Sequence, residues 1–114
     1  MDANKVAEQT ERPPLDRNLQ APAFLAKSLS DENRLRILLC VRNRKKSVSG
    51  IVEELHLSQP LVSHHLKELR RALLVEVERN GPFVFYKLAD GRVIEILRKL
   101  HELAQDLVTH RTGF

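Results

Sequence analysis

"SQPLVSHHLKELRRALLVEVERNGPFVFYKL", Ser58 to Leu88, changes its period partway along. As far as Leu73 its apolar residues recur at helical spacing. From Leu74 onward they alternate. Val75 and Val77 stand against Glu76 and Glu78, and the run resumes at Phe83, Phe85 and Tyr86. Asn80-Gly81 separates the two runs, and both residues tolerate positive φ, so a hairpin is expected there. Ser58 can cap the helix, and Pro60 is tolerable because it falls in the first turn. The stretch therefore reads as a helix feeding a two-stranded ribbon.

Upstream, "APAFLAKSL" (Ala21–Leu29) can form a short apolar helix. "SDENRLRILLCVRN" follows as a second, with Ser30 as the expected N-cap and acids in its first turn. "RKKS" breaks the pattern. "VSGIVEELHL" gives a third short helix, with Ser49 as the expected cap and Ile51, Val52 and Leu55 inward. Downstream, Asp90 caps a last helix running from Gly91 to about Thr109. The order α-α-α-α-β-β-α is mainly α with a β-hairpin, an α+β arrangement that describes a winged helix-turn-helix. In that fold the helix before the wing is exposed for recognition. Residues 1–19, polar and carrying Pro13-Pro14, read as a flexible tail, and 20–110 as the single domain.

The two adjacent histidines of the fourth helix separate on a helical wheel. With Gln59 at 0° and 100° per residue, Leu61, Val62, Leu66, Leu69, Ala72 and Leu73 fall between about 200° and 340°. His65, near about 240°, joins them as a core-edge residue holding a hydrogen bond; His64, near about 140°, points outward. Adjacent helical residues do not share a face, so the pair cannot hold one metal ion. The outward face carries Gln59, Pro60, Ser63, His64, Lys67, Arg70 and Arg71. Gln, Ser and His can read base edges; Lys and Arg meet phosphates or guanine. Gln59, Ser63 and His64, nearest the N-terminus, are expected at the bases, with Lys67, Arg70 and Arg71 on the backbone.

Charge is distributed in keeping with this. Arg34 to Arg71 holds nine Lys and Arg against three acids, +6 within a chain whose total is +4. The remainder is therefore −2, and the cations gather in the middle third. An ordinary solvated surface fits that charge equally well when it is taken alone. One cysteine, Cys40, excludes an intramolecular disulfide and a cysteine-pair zinc site within one chain, and its apolar surroundings make it a small buried hydrophobe. No apolar run spans a bilayer and the start lacks the apolar core of a signal peptide, so a cytoplasmic location is expected. No phosphate-cradling loop or oriented Ser-His-acid set points to an enzyme.

"LSDENRLRILLCV" (Leu29–Val41) and "LSQPLVSHHLKELRRALLVEVERNGPFVFYKL" (Leu57–Leu88), at their spacing, resemble the ArsR/SmtB family of bacterial transcriptional repressors. The likeness runs from about Ala21 to Leu107. It implies a homodimeric winged-helix repressor that binds an imperfect palindrome in double-stranded operator DNA and is released by an inducer. Two familiar metal-ligand sets are absent. Where the family's arsenic sensors carry a cysteine pair, "KKSVSGI" places Ser47 and Ser49, neutral hydroxyls unsuited to soft metals. The last-helix set of acid, histidine, histidine and acid corresponds to Asp90, Arg92, Leu103 and Asp106, without either histidine. No metal or other cofactor is therefore expected, although a non-standard site using His101, Asp106 or His110 across a dimer stays open. Family wings often carry a basic residue after the turn glycine. Pro82 stands there, leaving Arg79 and Asn80 as the expected wing contacts.

In the last helix, Val93, Ile96, Leu97, Leu100, Leu103, Ala104 and Leu107 form a stripe less than about 120° wide. Following the family, this stripe and Phe24 and Leu25 of the first helix are the expected dimer interface. A symmetric dimer suits DNA because its two reading helices meet successive major grooves about 34 Å apart. A metal-controlled version of the same DNA binder and a winged-helix protein interaction module are the alternatives. The inducer, if there is one, is not named by any residue.

Overall fold

The computed structural model describes residues 14–110. Its elements are α1 (Gln20–Ser28), α2 (Glu32–Cys40), α3 (Val48–Leu55), α4 (Gln59–Arg71), β1 (Val75–Asn80), β2 (Phe83–Leu88) and α5 (Arg92–His110). That is the order expected from the sequence. Of the tail expected over 1–19, residues 1–13 lie outside the described residues. Pro14 to Leu19 are exposed and turn back once, the Arg17 N–H donating to the Pro14 carbonyl at 3.2 Å.

Each helix start has an identifiable cause, and two of the expected caps shift by one or two residues. Asp31, not Ser30, caps α2: its carboxylate accepts from the backbone N–H groups of Asn33 (2.8 Å) and Arg34 (3.1 Å). The Ser30 hydroxyl instead donates to the Lys27 carbonyl of the preceding helix. Ser47, not Ser49, caps α3, accepting from the Gly50 N–H at 3.1 Å. In both cases a nearby residue had a suitable side chain, and the one that caps holds the extended backbone an N-cap requires. Ser58 caps α4 as expected, accepting from the Leu61 N–H at 3.3 Å, with Pro60 in the first turn. Asp90 accepts from the Arg92 N–H at 2.9 Å at the start of α5.

α3 and α4 meet across His56, Leu57 and Ser58, the turn of the helix-turn-helix. His56 takes a left-handed conformation there, φ 57° and ψ 43°. α4 ends in the same way. Leu73 has φ 63°, its N–H donates to the Arg70 carbonyl (3.0 Å) and the next N–H, that of Leu74, to the Leu69 carbonyl (3.0 Å). This paired closure is the Schellman pattern, which usually places glycine at the left-handed position. Leu73 is consequently 80% exposed rather than part of the apolar stripe. The wheel failed there because the helix had already stopped.

β1 and β2 pair antiparallel from Val75↔Leu88 to Asn80↔Phe83, joined by Gly81-Pro82 with Gly81 at φ 62°. Only Gly81 uses the positive φ that Asn80 could also have adopted. Lys46 adds an isolated antiparallel bridge to Tyr86 of β2. Its N–H donates to the Tyr86 carbonyl (2.9 Å) and its carbonyl accepts from the Tyr86 N–H (2.8 Å), fastening the α2–α3 connection to the wing.

The core lies where α2, α3 and α4 converge on the base of the wing. Ile37, Leu38 and Val41 meet Ile51, Val62, Leu66 and Leu69, all essentially fully buried, with Val75, Val93 and Leu97 closing the ends. Each such side chain contributes about 1.5–3 kcal/mol by leaving water. Cys40 lies at the edge of this core, buried as a small hydrophobe. Burial pushes its thiol up from the ordinary value, with Glu54 adding to the effect, so it is held in the unreactive protonated form.

Candidate nucleic-acid interface

The face of α4 away from the core is built by subtraction. Val62, His65, Leu66 and Leu69 are the buried residues of this helix. At 3.6 residues per turn their burial forces the remaining positions outward. Gln59, Pro60, Ser63, His64, Lys67, Arg70 and Arg71 are all exposed, as are Arg79 and Asn80 at the wing. The nine residues expected to touch DNA therefore all lie at the surface. Among the described residues only Arg71 of the seven on α4 is tied down, 3.5 Å from Glu68 one turn back. The other polar groups on that face keep their donors and acceptors available to a ligand.

The wing is braced from outside. Glu78 on β1 pairs with Lys45 from the α2–α3 connection and with Lys87 across the ladder (3.3 Å), and the Lys45 ammonium sits 5.1 Å from the Phe85 ring centroid. Phe83, beside the turn, is 63% exposed. Sequence reading placed it in the alternating pattern but gave no sign that the ladder ends on its exposed side.

The cations of the middle third divide between inward and outward positions. Arg34 and Arg36 point inward and cap carbonyls: Arg34 Nε donates to Ser28 O at 2.7 Å, and Arg36 NH2 to Leu55 O at 2.9 Å. Lys46 is held by Glu54 (2.7 Å) and the Cys40 carbonyl (2.7 Å). The positive charge offered by the reading face is therefore that of Lys67, Arg70, Arg71 and Arg79, fewer than composition suggests.

Among the described residues His65 is the one buried polar side chain, 4% exposed, as its place on the helical wheel implies. What the wheel could not supply was its partners. Nδ1 lies 3.2 Å from Arg34 NH1 and Nε2 3.6 Å from Asp31 Oδ1. Burial holds the ring below the usual histidine range. Asp31 opposes that effect, while Arg34 and His64 reinforce it. The ring is therefore neutral at pH 7, and the Asp31 contact is polar rather than an ion pair.

The expected dimer stripe divides between two duties. Val93 and Leu97 belong to the chain's own core, whereas Ile96, Leu100, Leu103, Ala104 and Leu107 are exposed. Phe24 and Leu25 on α1 are exposed too, and α1 contains no buried residue. A cleft of about 550 Å³ opens between α2 and α5, lined by Leu35, Leu39, Leu97 and Leu100 with Arg42, Arg98 and His101 around it. Among the described residues no three or more His, Cys, Asp or Glu side chains gather to hold a metal. Asp90, one of the two acids left from the last-helix set, is gripped by Arg92 at 2.8 Å, and Ser47, in the other set, is used as a cap. No helix among the described residues is long and apolar enough to cross a membrane.

Comparison with known proteins agrees with this geometry. The profile of a family described as "Bacterial regulatory protein, arsR family" matches residues 31–77, from the α2 cap through the first half of β1. The transcriptional repressor SmtB of Mycobacterium tuberculosis is 40% identical over 85 residues, 75% of this chain and 63% of that protein, so the chain matches under two thirds of that relative's length. A helix-turn-helix transcriptional regulator of Methanocaldococcus jannaschii is 39% identical over 82 residues, covering 71% of this chain and 92% of that one. The solved structure of reduced HlyU from Vibrio cholerae superposes with a TM-score of 0.68 at 34% identity, covering 78% of this chain and 94% of that one; HlyU is a transcriptional activator.

Proposed function

The chain belongs to the ArsR/SmtB family of bacterial regulatory proteins, and on that premise we propose that it is a homodimeric, sequence-specific DNA-binding repressor of transcription. One observation carries the reading: every residue assigned to DNA on α4 and the wing is exposed, while the alternate positions of the same helix are buried. The reading head is thus rigidly mounted. Gln59, Ser63 and His64 enter the major groove with the N-terminal half of α4. Lys67, Arg70 and Arg71 grip phosphates, and Arg79 and Asn80 reach the adjacent minor groove.

A second copy supplies the other half-site. The exposed apolar row Ile96, Leu100, Leu103 and Leu107 on α5 and the exposed Phe24 and Leu25 on α1 favour self-association over solvation. Neither metal-ligand set familiar in the family is complete, so control by metal at those positions is not part of the proposal.

The test is selection of a duplex from a random library by the full-length protein, followed by affinity measurements over a salt series. Each phosphate neutralised by a cation should add a slope of about −0.9 to log K against log salt. Lys67→Ala should flatten that slope by about one for each subunit, on selected and unrelated DNA alike. His64→Ala should cost about 1–3 kcal/mol on the selected duplex and little on unrelated DNA. Failure to enrich any duplex, with a stable protein partner recovered instead, would favour the interaction-module reading. A reporter carrying the selected duplex at a promoter separates repression from activation.

A further inference from the structure

The Arg34 guanidinium joins three elements. Nε donates to the Ser28 carbonyl (2.7 Å) and NH2 to the Lys27 carbonyl (3.4 Å), both at the end of α1, while NH1 meets Nδ1 of His65 on α4 (3.2 Å). Guanidinium nitrogens only donate, so Nδ1 must present its lone pair, and the ring proton sits on Nε2 toward Asp31. A protonated ring has a donor at both nitrogens, and one of them would then confront Arg34. We propose that His65 is a positioning residue for DNA binding: its neutral ring pins the reading helix to the end of α1 through Arg34, and protonation frees that pin and weakens the complex with DNA. The inference rests on the DNA-binding reading given above.

The groups acting on the ring come from two sides. Asp31 and Arg34 face it from the α1–α2 junction, and His64 and Glu68 act from its own helix. The acids of the other elements packed on α4 are engaged elsewhere. Glu54 on α3 is paired with Lys46, and Glu78 on β1 with Lys45 and Lys87; Glu53 and Glu76 are exposed. Asp31 is the one group placed to reward protonation strongly, and its oxygen already accepts two backbone N–H groups as the α2 cap. The ring sits below its ordinary range, so the pin is intact at neutral pH and is lost as pH falls through the ring's own titration.

The decisive experiment measures affinity for the selected duplex from pH 7.5 to 5.5 at fixed ionic strength. Full-length protein carrying His64→Gln serves as the parent, which removes the outward histidine whose protonation would strengthen phosphate contacts. Adding His65→Gln keeps an oxygen acceptor for Arg34 that does not titrate. The parent should lose up to about tenfold in affinity per pH unit for each pin released, and the His65→Gln protein should bind as the parent does at pH 7.5 with that loss abolished. An unchanged pH slope in the His65→Gln protein overturns the proposal. Should that variant fail to fold, imidazole nitrogen shifts of the parent decide the matter: the His65 ring must titrate at lower pH when DNA is bound, and equal midpoints overturn it. Absence of any duplex bound by the unaltered protein at pH 7.5 overturns the DNA-binding reading itself, a result distinct from a bound duplex with an unaltered slope.

Discussion

Leu73 occupies a backbone conformation that suits glycine. Its φ of 63° sets Cβ against the following carbonyl, and its side chain, 80% exposed, recovers almost nothing by packing. Such a left-handed residue costs roughly 1–2 kcal/mol, part of which glycine returns as unfolded-state entropy. Leu73→Gly should therefore stabilise the fold by about 0.5–1 kcal/mol in urea unfolding with an unchanged m-value. Asp90 offers a second test at this scale. The Arg92 side chain, then the Arg92 backbone N–H, draws its carboxyl from 3.8 down to about 2. Because the folded value lies below the ordinary one, any stabilisation is complete above pH 3.8 and fades as pH falls through about 2. The pair is fully exposed and screened, so the effect on stability is small, but carboxyl carbon shifts should place the midpoint near 2, and Arg92→Ala should return it toward 3.8.

At the scale of elements, α4 serves two purposes with opposite faces. Leu66 is 1% exposed at the centre of its buried face, between residues exposed on the opposite face. Leu66→Ala should cost about 2–5 kcal/mol in chemical unfolding and weaken DNA binding without removing a contact to it. This division of faces was legible in the sequence because 100° of rotation per residue fixes it wherever the helix is intact. What was not legible follows from the same physics. Ser30 and Asp31, like Ser47 and Ser49, are neighbours with equal capping chemistry, and the choice between them depends on how the chain arrives. Leu73 follows the helix in sequence but not in rotation, because the turn intervenes. The contact between Arg34 and His65 spans 31 positions, and no local pattern announces it. The strands were legible from Val75, Val77 and the Asn80-Gly81 turn, but the isolated bridge at Lys46 was not, since one residue carries no period.

For the whole molecule, the apolar row of α5 is the feature that one subunit leaves uncovered. Val93 and Leu97 anchor the helix to its own body, and Leu100, Leu103 and Leu107 continue beyond it in solvent. Charging that row should separate subunits without unfolding them: Leu100→Glu with Leu107→Glu should sediment as a monomer with its helical circular dichroism retained, and should lose most of its affinity for a two-site duplex while keeping that for a half-site. A sedimentation profile identical to that of the unaltered protein would exclude α5 from the interface. A row left bare in this way would make the proposed gene control a question of copy number. On the proposed dimer, scarce subunits would form paired readers as the square of the amount synthesised, so promoter occupancy would rise and fall more steeply than expression itself.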